Sequence, residues 1–316
     1  MRSEHRTRNR GWLFLLLVLL ACGLGPVRAA GGAEIRVDIL LSANDTPYLM
    51  AMKGFQQQLE KNGTSVNFVL HALNGEAARI PQALKQAGDG GSSLLCCFGT
   101  LALKGTAGSS AGIPAVAGMV LKKEHLLQYQ GLPGVYLEFP PEIQLAWVKK
   151  VVPRARSVGV LFSPGENGAF LEAAETAAAK LGLRLEKARV ASAKDLPAAL
   201  QGLAKHVDVL WGINDTVAYN PETAREILGF SLKNRIPVIG PSTTWVKAGA
   251  LAALDWDYAD IGAQTAELAA KILAGGAGGG ATVVPPRKKL QALNAKSAEF
   301  FKISLPPELL RESTLN

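Results

Sequence analysis

The sequence predicts an α/β protein of two Rossmann-like lobes, each a small parallel sheet flanked by helices, with the carboxyl ends of the two sheets facing one cleft. Three observations predict it. Strand-like apolar runs alternate with amphipathic helix-like stretches along the chain, as in doubly wound sheets. The pattern comes twice: Ser42 pairs with Ser163, Gly63 with Gly182, Thr100 with Asp215 and Ile113 with Ile236, at separations of 121, 119, 115 and 123 residues. A chain of 316 residues with 48% hydrophobic content also suits two folded domains. Sheets of this kind hold ligands outside the carboxyl ends of their strands, so two facing sheets imply a cleft.

At the amino end, Arg2, Arg6, Arg8 and Arg10 precede the apolar run Trp12 to Cys22, too short for a bilayer span but laid out like a secretory leader. Residues 1–29 are expected to be removed, with Val27-Arg28-Ala29 before Ala30 as the cleavage site. A competing site is the lipobox-like Leu19-Leu20-Ala21-Cys22, which would remove only 1–21 and leave Cys22 lipidated. Loss of 1–29 takes away five Arg and one Glu and lowers the formal charge from +8 to +4. That balance lacks the clustered basic face that nucleic acid requires. Cys96 and Cys97 are adjacent in a strand-like run, where neighbours point to opposite faces, so they read as two buried thiols rather than a disulfide.

Taken in order, the first unit has strands near 35–41, 65–71, 93–98 and 113–118. Asn44 and Asp45 ahead of Pro47 make a helix start, and Leu49, Met52, Phe55 and Leu59 follow on one stripe. Pro140-Pro141 breaks the pattern after Phe139 and marks a crossing between lobes. The second unit has strands near 157–163, 183–190, 207–213 and 236–240, with helices near 141–152, 167–181, 195–205 and 221–234. A strand at 250–254, a helix from about 258 to 274 and the run Gly275 to Gly280 follow. That run comes after a helix and lacks the P-loop lysine, so it reads as a linker. Lys289 to Leu293 reads as one more strand.

From about Val135 onward the chain resembles a known family. The matching stretches include Val158-Gly-Val-Leu-Phe-Ser163 with Glu166-Asn167, Lys194-Asp-Leu-Pro-Ala-Ala-Leu200, Asn214-Asp-Thr-Val217, Arg235-Ile-Pro-Val238, Val246-Lys-Ala-Gly-Ala-Leu251, Asp257-Tyr258, Leu293-Asn294 and Leu305-Pro-Pro-Glu-Leu-Leu310. In order and spacing they are similar to the solute-binding proteins of ATP-binding-cassette importers, the family with tryptophan- and tyrosine-binding members and the type I periplasmic binding fold. In the first unit only Met52-Lys-Gly-Phe55 and Phe98-Gly-Thr100 fit, and Met119-Val-Leu-Lys-Lys-Glu124 replaces the family's usual Asp-Pro segment. The resemblance implies that the helix after Asp257 returns to the first lobe and that the last strand crosses back. The lobes are then 34–139 plus about 256–282, and 140–255 plus about 283–316.

The strand-end turns supply Ser42, Asn44, Asp45, Thr46, Asn74, Gly99, Thr100, Ser163, Glu166, Asn167, Asn214, Asp215, Ser242 and Thr243, with Trp245 close by. This set has hydroxyls, amides and three carboxylates but neither lysine nor arginine, which disfavours a polyanion and fits a zwitterion. The resemblance makes Asp215 the residue that meets the ligand's polar head, against the plainer role of capping the helix before Val217. Thr100 is either a ligand hydroxyl or an N-cap, and Trp211, inside a strand run, is expected to pack in the core.

Gly108-Ser-Ser-Ala-Gly112 has the G-x-S-x-G form of serine hydrolases, but it ends a helix instead of opening one, and a triad of Ser110, Asp195 and His206 has no support from context. His71, His125 and His206 stand singly, without metal-ligand spacing, so neither metal nor other cofactor is expected. The resemblance implies an exported, monomeric, non-enzymatic binding protein. It would hold a small amino-acid-like metabolite and meet an inner-membrane ABC permease, touching the membrane itself only through a lipid on Cys22. A sensory protein signalling to a membrane receptor is the alternative, and a serine hydrolase a remote one.

Overall fold

The computed structural model describes residues 35–61, 65–106, 112–275 and 282–315. The expected leader, Cys22, Ser110 with most of its motif, and the glycines after Gly275 lie outside the described residues.

The first sheet is parallel throughout. Its strands are β1 (Ile35–Leu41), β2 (Val66–Ala72), β3 (Leu94–Phe98), β4 (Ala115–Val120), β5 (Gly134–Tyr136) and β11 (Val283–Val284), in the order β11-β5-β4-β3-β1-β2. The second contains β6 (Ser157–Phe162), β7 (Arg184–Arg189), β8 (Val209–Trp211), β9 (Val238–Gly240), β10 (Ala252–Trp256), β12 (Lys289–Leu293) and β13 (Thr314–Leu315), in the order β13-β12-β10-β9-β8-β6-β7. Here β12 runs antiparallel to β10. Five strands in the order 2-1-3-4-5 therefore recur as 7-6-8-9-10, and the repeat visible in the sequence is a repeat of topology. The fold is α/β with two Rossmann-like lobes. Each sheet changes direction of winding between its first and third strands, the switch point where such folds bind ligands.

Burial explains the strand composition. All five residues of β3 are buried, with Cys96 packed in the core on one face of the sheet and Cys97 in the core on the other, both as free thiols. One face is covered by α1 (Thr46–Glu60) and α10 (Tyr258–Leu273), which lie against each other. Gly54 and Gly262 make that approach possible: a Cβ on Gly54 would strike the carbonyl of Ala259, and one on Gly262 the carbonyl of Ala51. The other face carries α2 (Ile80–Asp89), α3 (Thr100–Thr106) and α4 (Lys123–Leu127). The second sheet is flanked by α5 (Pro141–Val151), α6 (Pro164–Lys180), α7 (Leu196–Leu203), α8 (Pro221–Asn234), α9 (Thr243–Ala248), α11 (Ala295–Phe301) and α12 (Pro307–Glu312).

The chain passes between lobes three times: from β5 into α5, from β10 into α10, and from β11 into β12. The last passage comes after Val284, later than position 283, because Val283 and Val284 extend the first sheet beside Gly134 and Val135. Two of the passages are tied together. Arg287 Nε and Nη2 donate to Asp260 at 2.9 and 3.0 Å, and Gln264 bonds both to Pro285 O and to the Arg287 amide. Helix α6 starts at Pro164, earlier than 167, because proline is well placed in a first turn; its Asn167 has non-helical angles (φ −129°, ψ 15°). The segment 119–124 closes β4, with Met119 at φ +57°, and then opens α4.

Candidate functional site: an aromatic cavity at the lobe junction

The turns after β4, β6 and β8 meet across the junction. Lys122 Nζ donates to Glu166 O at 2.5 Å and Asn167 Oδ1 at 2.8 Å, and Asn214 Nδ2 reaches Leu121 O at 3.4 Å. A cleft set without lysine is thus corrected: the segment that departs from the family pattern lays an ammonium across the cleft.

Beside this contact lies a cavity of about 220 Å³, formed by the crossing segment Leu137 to Phe139, helix α5, and the ends of β8, β9 and β10. Six aromatic side chains line it: Phe139, Trp147, Trp211, Tyr219, Trp245 and Trp256. Phe139 stacks on Trp256 at 6.0 Å, and Tyr219 meets Trp245 edge-on at 5.6 Å. Gly240 lets Trp245 close on the strand end, since a Cβ there would fall 2.5 Å from the Trp245 Cβ. Several polar handles are spoken for. Trp211 Nε1 donates to Gln144 Oε1 at 3.1 Å, Gln144 Nε2 to Phe139 O at 2.7 Å, and Tyr219 Oη to Trp211 O at 2.9 Å. Core packing of Trp211 is observed, and its ring is also a cavity wall.

A second crevice of about 490 Å³ adjoins the first under Lys122, His125, Glu166 and Phe170; Glu138 and Asn214 line both. Glu138 is half-buried, and burial pushes its carboxyl up to about 7, with Glu124 raising it further and Lys122 opposing.

Of the residues singled out in the sequence, the structure brings Asn214, Asp215, Ser242 and Trp245 to the aromatic cavity and Glu166 to the crevice. Apart from Trp211, the other cleft candidates line neither. Asn44, Asp45 and Thr46 are exposed at the start of α1. Ser42 Oγ accepts the Ala102 amide at 3.0 Å, and Thr100 Oγ1 that of Leu121 at 3.2 Å. Gly99, at φ +97°, leaves room for Ser42. The Ser163 amide and Asn167 Nδ2 donate to Asp215 at 2.6 and 2.7 Å, and the Thr243 amide donates to Asp255 at 2.8 Å.

Asp215 departs most from expectation. Its carboxylate accepts from Ser163 N, Asn167 Nδ2, Val217 N and Ala218 N while only 2% exposed. A carboxylate has about four lone-pair sites, so little acceptor capacity is left for a ligand. Capping and joining β6 to β8 is its structural role. The residues that sequence reading passed over are Glu138, Gln144, Trp147 and Trp256. Only Glu138 carried a signal, as a lone acid in the apolar stretch Gly134 to Phe139.

Two facing α/β lobes, three passages between them and a concave site at their strand ends define a bilobal ligand-binding protein of the type I periplasmic binding fold. The chain belongs to the ABC transporter substrate binding protein family, whose model matches residues 36–315. A tyrosine-binding protein of Clostridioides difficile (strain R20291) is 25% identical over 142 residues, which is 44% of this chain and 40% of that relative. The chain thus matches less than half the length of this curated relative. Among solved structures, a ligand-free, open substrate binding protein with adhesive properties from Clostridium difficile superposes with a TM-score of 0.77 at 17% identity, covering 89% of this chain and 99% of that one. An ABC domain in complex with L-Trp from Streptococcus pneumonia gives 0.66 at 20%, covering 90% and 99%.

Proposed function

We propose that this chain is the exported solute-binding component of an ABC importer, and that it captures a small metabolite with an apolar and a polar end, amino-acid-like in build, and delivers it chemically unchanged to an inner-membrane permease. The aromatic cavity at the lobe junction carries this reading. Its volume of about 220 Å³ exceeds the roughly 150 Å³ of an engineered cavity that takes benzene, so it suits one ring with a short polar arm. Relatives named for tyrosine and solved with L-Trp support the same size and character of ligand. Lobe closure around the ligand is the mechanism, as in other hinged binding folds.

The test is calorimetry of the processed protein against amino acids, their decarboxylated amines and related aromatic metabolites, followed by uptake into vesicles holding a partner ABC permease. Micromolar binding with uptake supports import. Binding without uptake, together with a response from a membrane receptor, turns the reading to sensing, and turnover of any compound would make the protein an enzyme. The protein acts as a monomer, which sedimentation checks. Its delivery route is read from fractionation of Cys22→Ser: a shift from membrane to soluble fraction assigns a lipid anchor, and a mature chain starting at Ala30 assigns free release.

A further inference from the structure

Glu138 stands where the aromatic cavity and the adjoining crevice meet, and among the described residues its carboxylate has neither a hydrogen-bond donor nor an ion-pair partner. The charged and titratable groups around it are Lys122, Glu124, His125 and Glu166. The Lys122 ammonium is committed to Glu166 O and Asn167 Oδ1, and the Glu166 carboxylate holds the Thr216 amide and hydroxyl. No cation of the chain therefore neutralises Glu138 at contact. The walls beside it are aromatic, and the faces of such rings carry negative potential that attracts cations.

A ligand carboxylate finds the opposite situation. In folds of this kind it would settle on free amides at helix starts. Here five of those amides are taken by the chain's own oxygens. Ala102 N goes to Ser42, Val217 N and Ala218 N go to Asp215, Thr216 N goes to Glu166, and Thr243 N goes to Asp255. Among the described residues no lysine or arginine lines the aromatic cavity, and the buried donors left without partners on its wall are the neutral Nε1 groups of Trp147 and Trp256.

We infer that the ligand presents a cationic nitrogen to Glu138, held between that carboxylate and the aromatic walls, and that recognition requires no carboxylate: the ligand class is a small organic ammonium bearing an apolar group. The inference rests on the solute-binding reading above and narrows its substrate. Because burial holds Glu138 partly protonated near pH 7, cation binding draws the carboxyl into its ionised form and releases a proton. Affinity then rises with pH until Glu138 is fully ionised.

The experiment is calorimetry on the processed full chain with tryptamine and tyramine, the amino acids L-tryptophan and L-tyrosine, the neutral alcohol tryptophol, the anion indole-3-propionate, and the permanent cation benzyltrimethylammonium. The amines are expected to bind at least tenfold tighter than the alcohol and the anion, and no weaker than the amino acids. Glu138→Gln should weaken amine binding at least 30-fold while still melting cooperatively and no lower than the native protein, and Glu138→Asp should retain part of the affinity. Binding of the permanent cation should strengthen about tenfold from pH 6 to pH 8 in the native protein, as expected for a carboxyl titrating near 7, and stay flat in Glu138→Gln. Amino acids that bind while their amines do not, or unchanged affinity in Glu138→Gln, would overturn the inference and leave the solute-binding reading standing. Absence of binding across the whole panel would count against both.

Discussion

Glu138 and Asp215 are two carboxylates at one junction with opposite circumstances. Glu138 has its carboxyl raised from an ordinary value of 4.5 to about 7 by burial. Between those values the folded chain holds more protons than the unfolded one, so the residue costs stability as pH rises through the window, and the full penalty applies above about 7. Glu138→Gln should therefore stabilise the ligand-free protein at pH 8, by on the order of 3 kcal/mol at 1.36 kcal/mol per unit, and leave it unchanged at pH 4. Thermal melts at the two pH values check this, and a mutant melting lower at pH 8 would refute the burial argument. Asp215→Ala strands four donors, each costing about 1–3 kcal/mol when buried without a partner, so urea denaturation should show a loss of at least about 3 kcal/mol. Ligand affinity of the folded fraction should change less than tenfold. Asn214, Asp215, Ser242 and Trp245 were legible in the sequence as strand-end residues. What each does there was not, because a turn aspartate that caps and one that meets a ligand are written identically. Glu138 belongs to no periodic element, and its environment exists only once the crossing segment has folded between the lobes.

At the level of elements, the contact between α1 and α10 depends on two glycines facing backbone carbonyls. Neither carbonyl can rotate away as a side chain can. Gly262→Ala is expected to cost at least about 3 kcal/mol, at or beyond the upper end of ordinary overpacking, seen as a lower urea midpoint. Gly229→Ala, in α8 with open space around it, should be neutral or mildly stabilising. The long strands and helices were readable from their periods to within a few residues, and Lys289–Leu293 falls where the apolar alternation places it. Strands β5, β11 and β13, of three, two and two residues, were not separately readable. A period of two needs more residues than these contain, and their pairing is set by the strands beside them. Helix α4 was hidden for a similar reason: five residues give barely more than one turn.

On the scale of the whole molecule, the lobes are joined by three passages, two of them clamped by Arg287 on Asp260. A ligand at about 100 times its Kd should add roughly 2.7 kcal/mol to the native state, read as a rise in melting temperature of several degrees. Small-angle scattering should show the radius of gyration falling on saturation. A tight ligand that left scattering unchanged would remove closure from the mechanism. The late return of α10 also sets the order in which the molecule can be completed. Helix α1 ends at Glu60, and the helix that covers its glycine face begins at Tyr258. A gap of about 200 residues takes roughly 10–40 s to synthesise at about 5–20 residues per second, and the second sheet waits longer still for β12. Neither lobe can lock until its closing element has been made, so over that interval the half-built sheets stay open to whatever chaperones and proteases meet the growing chain.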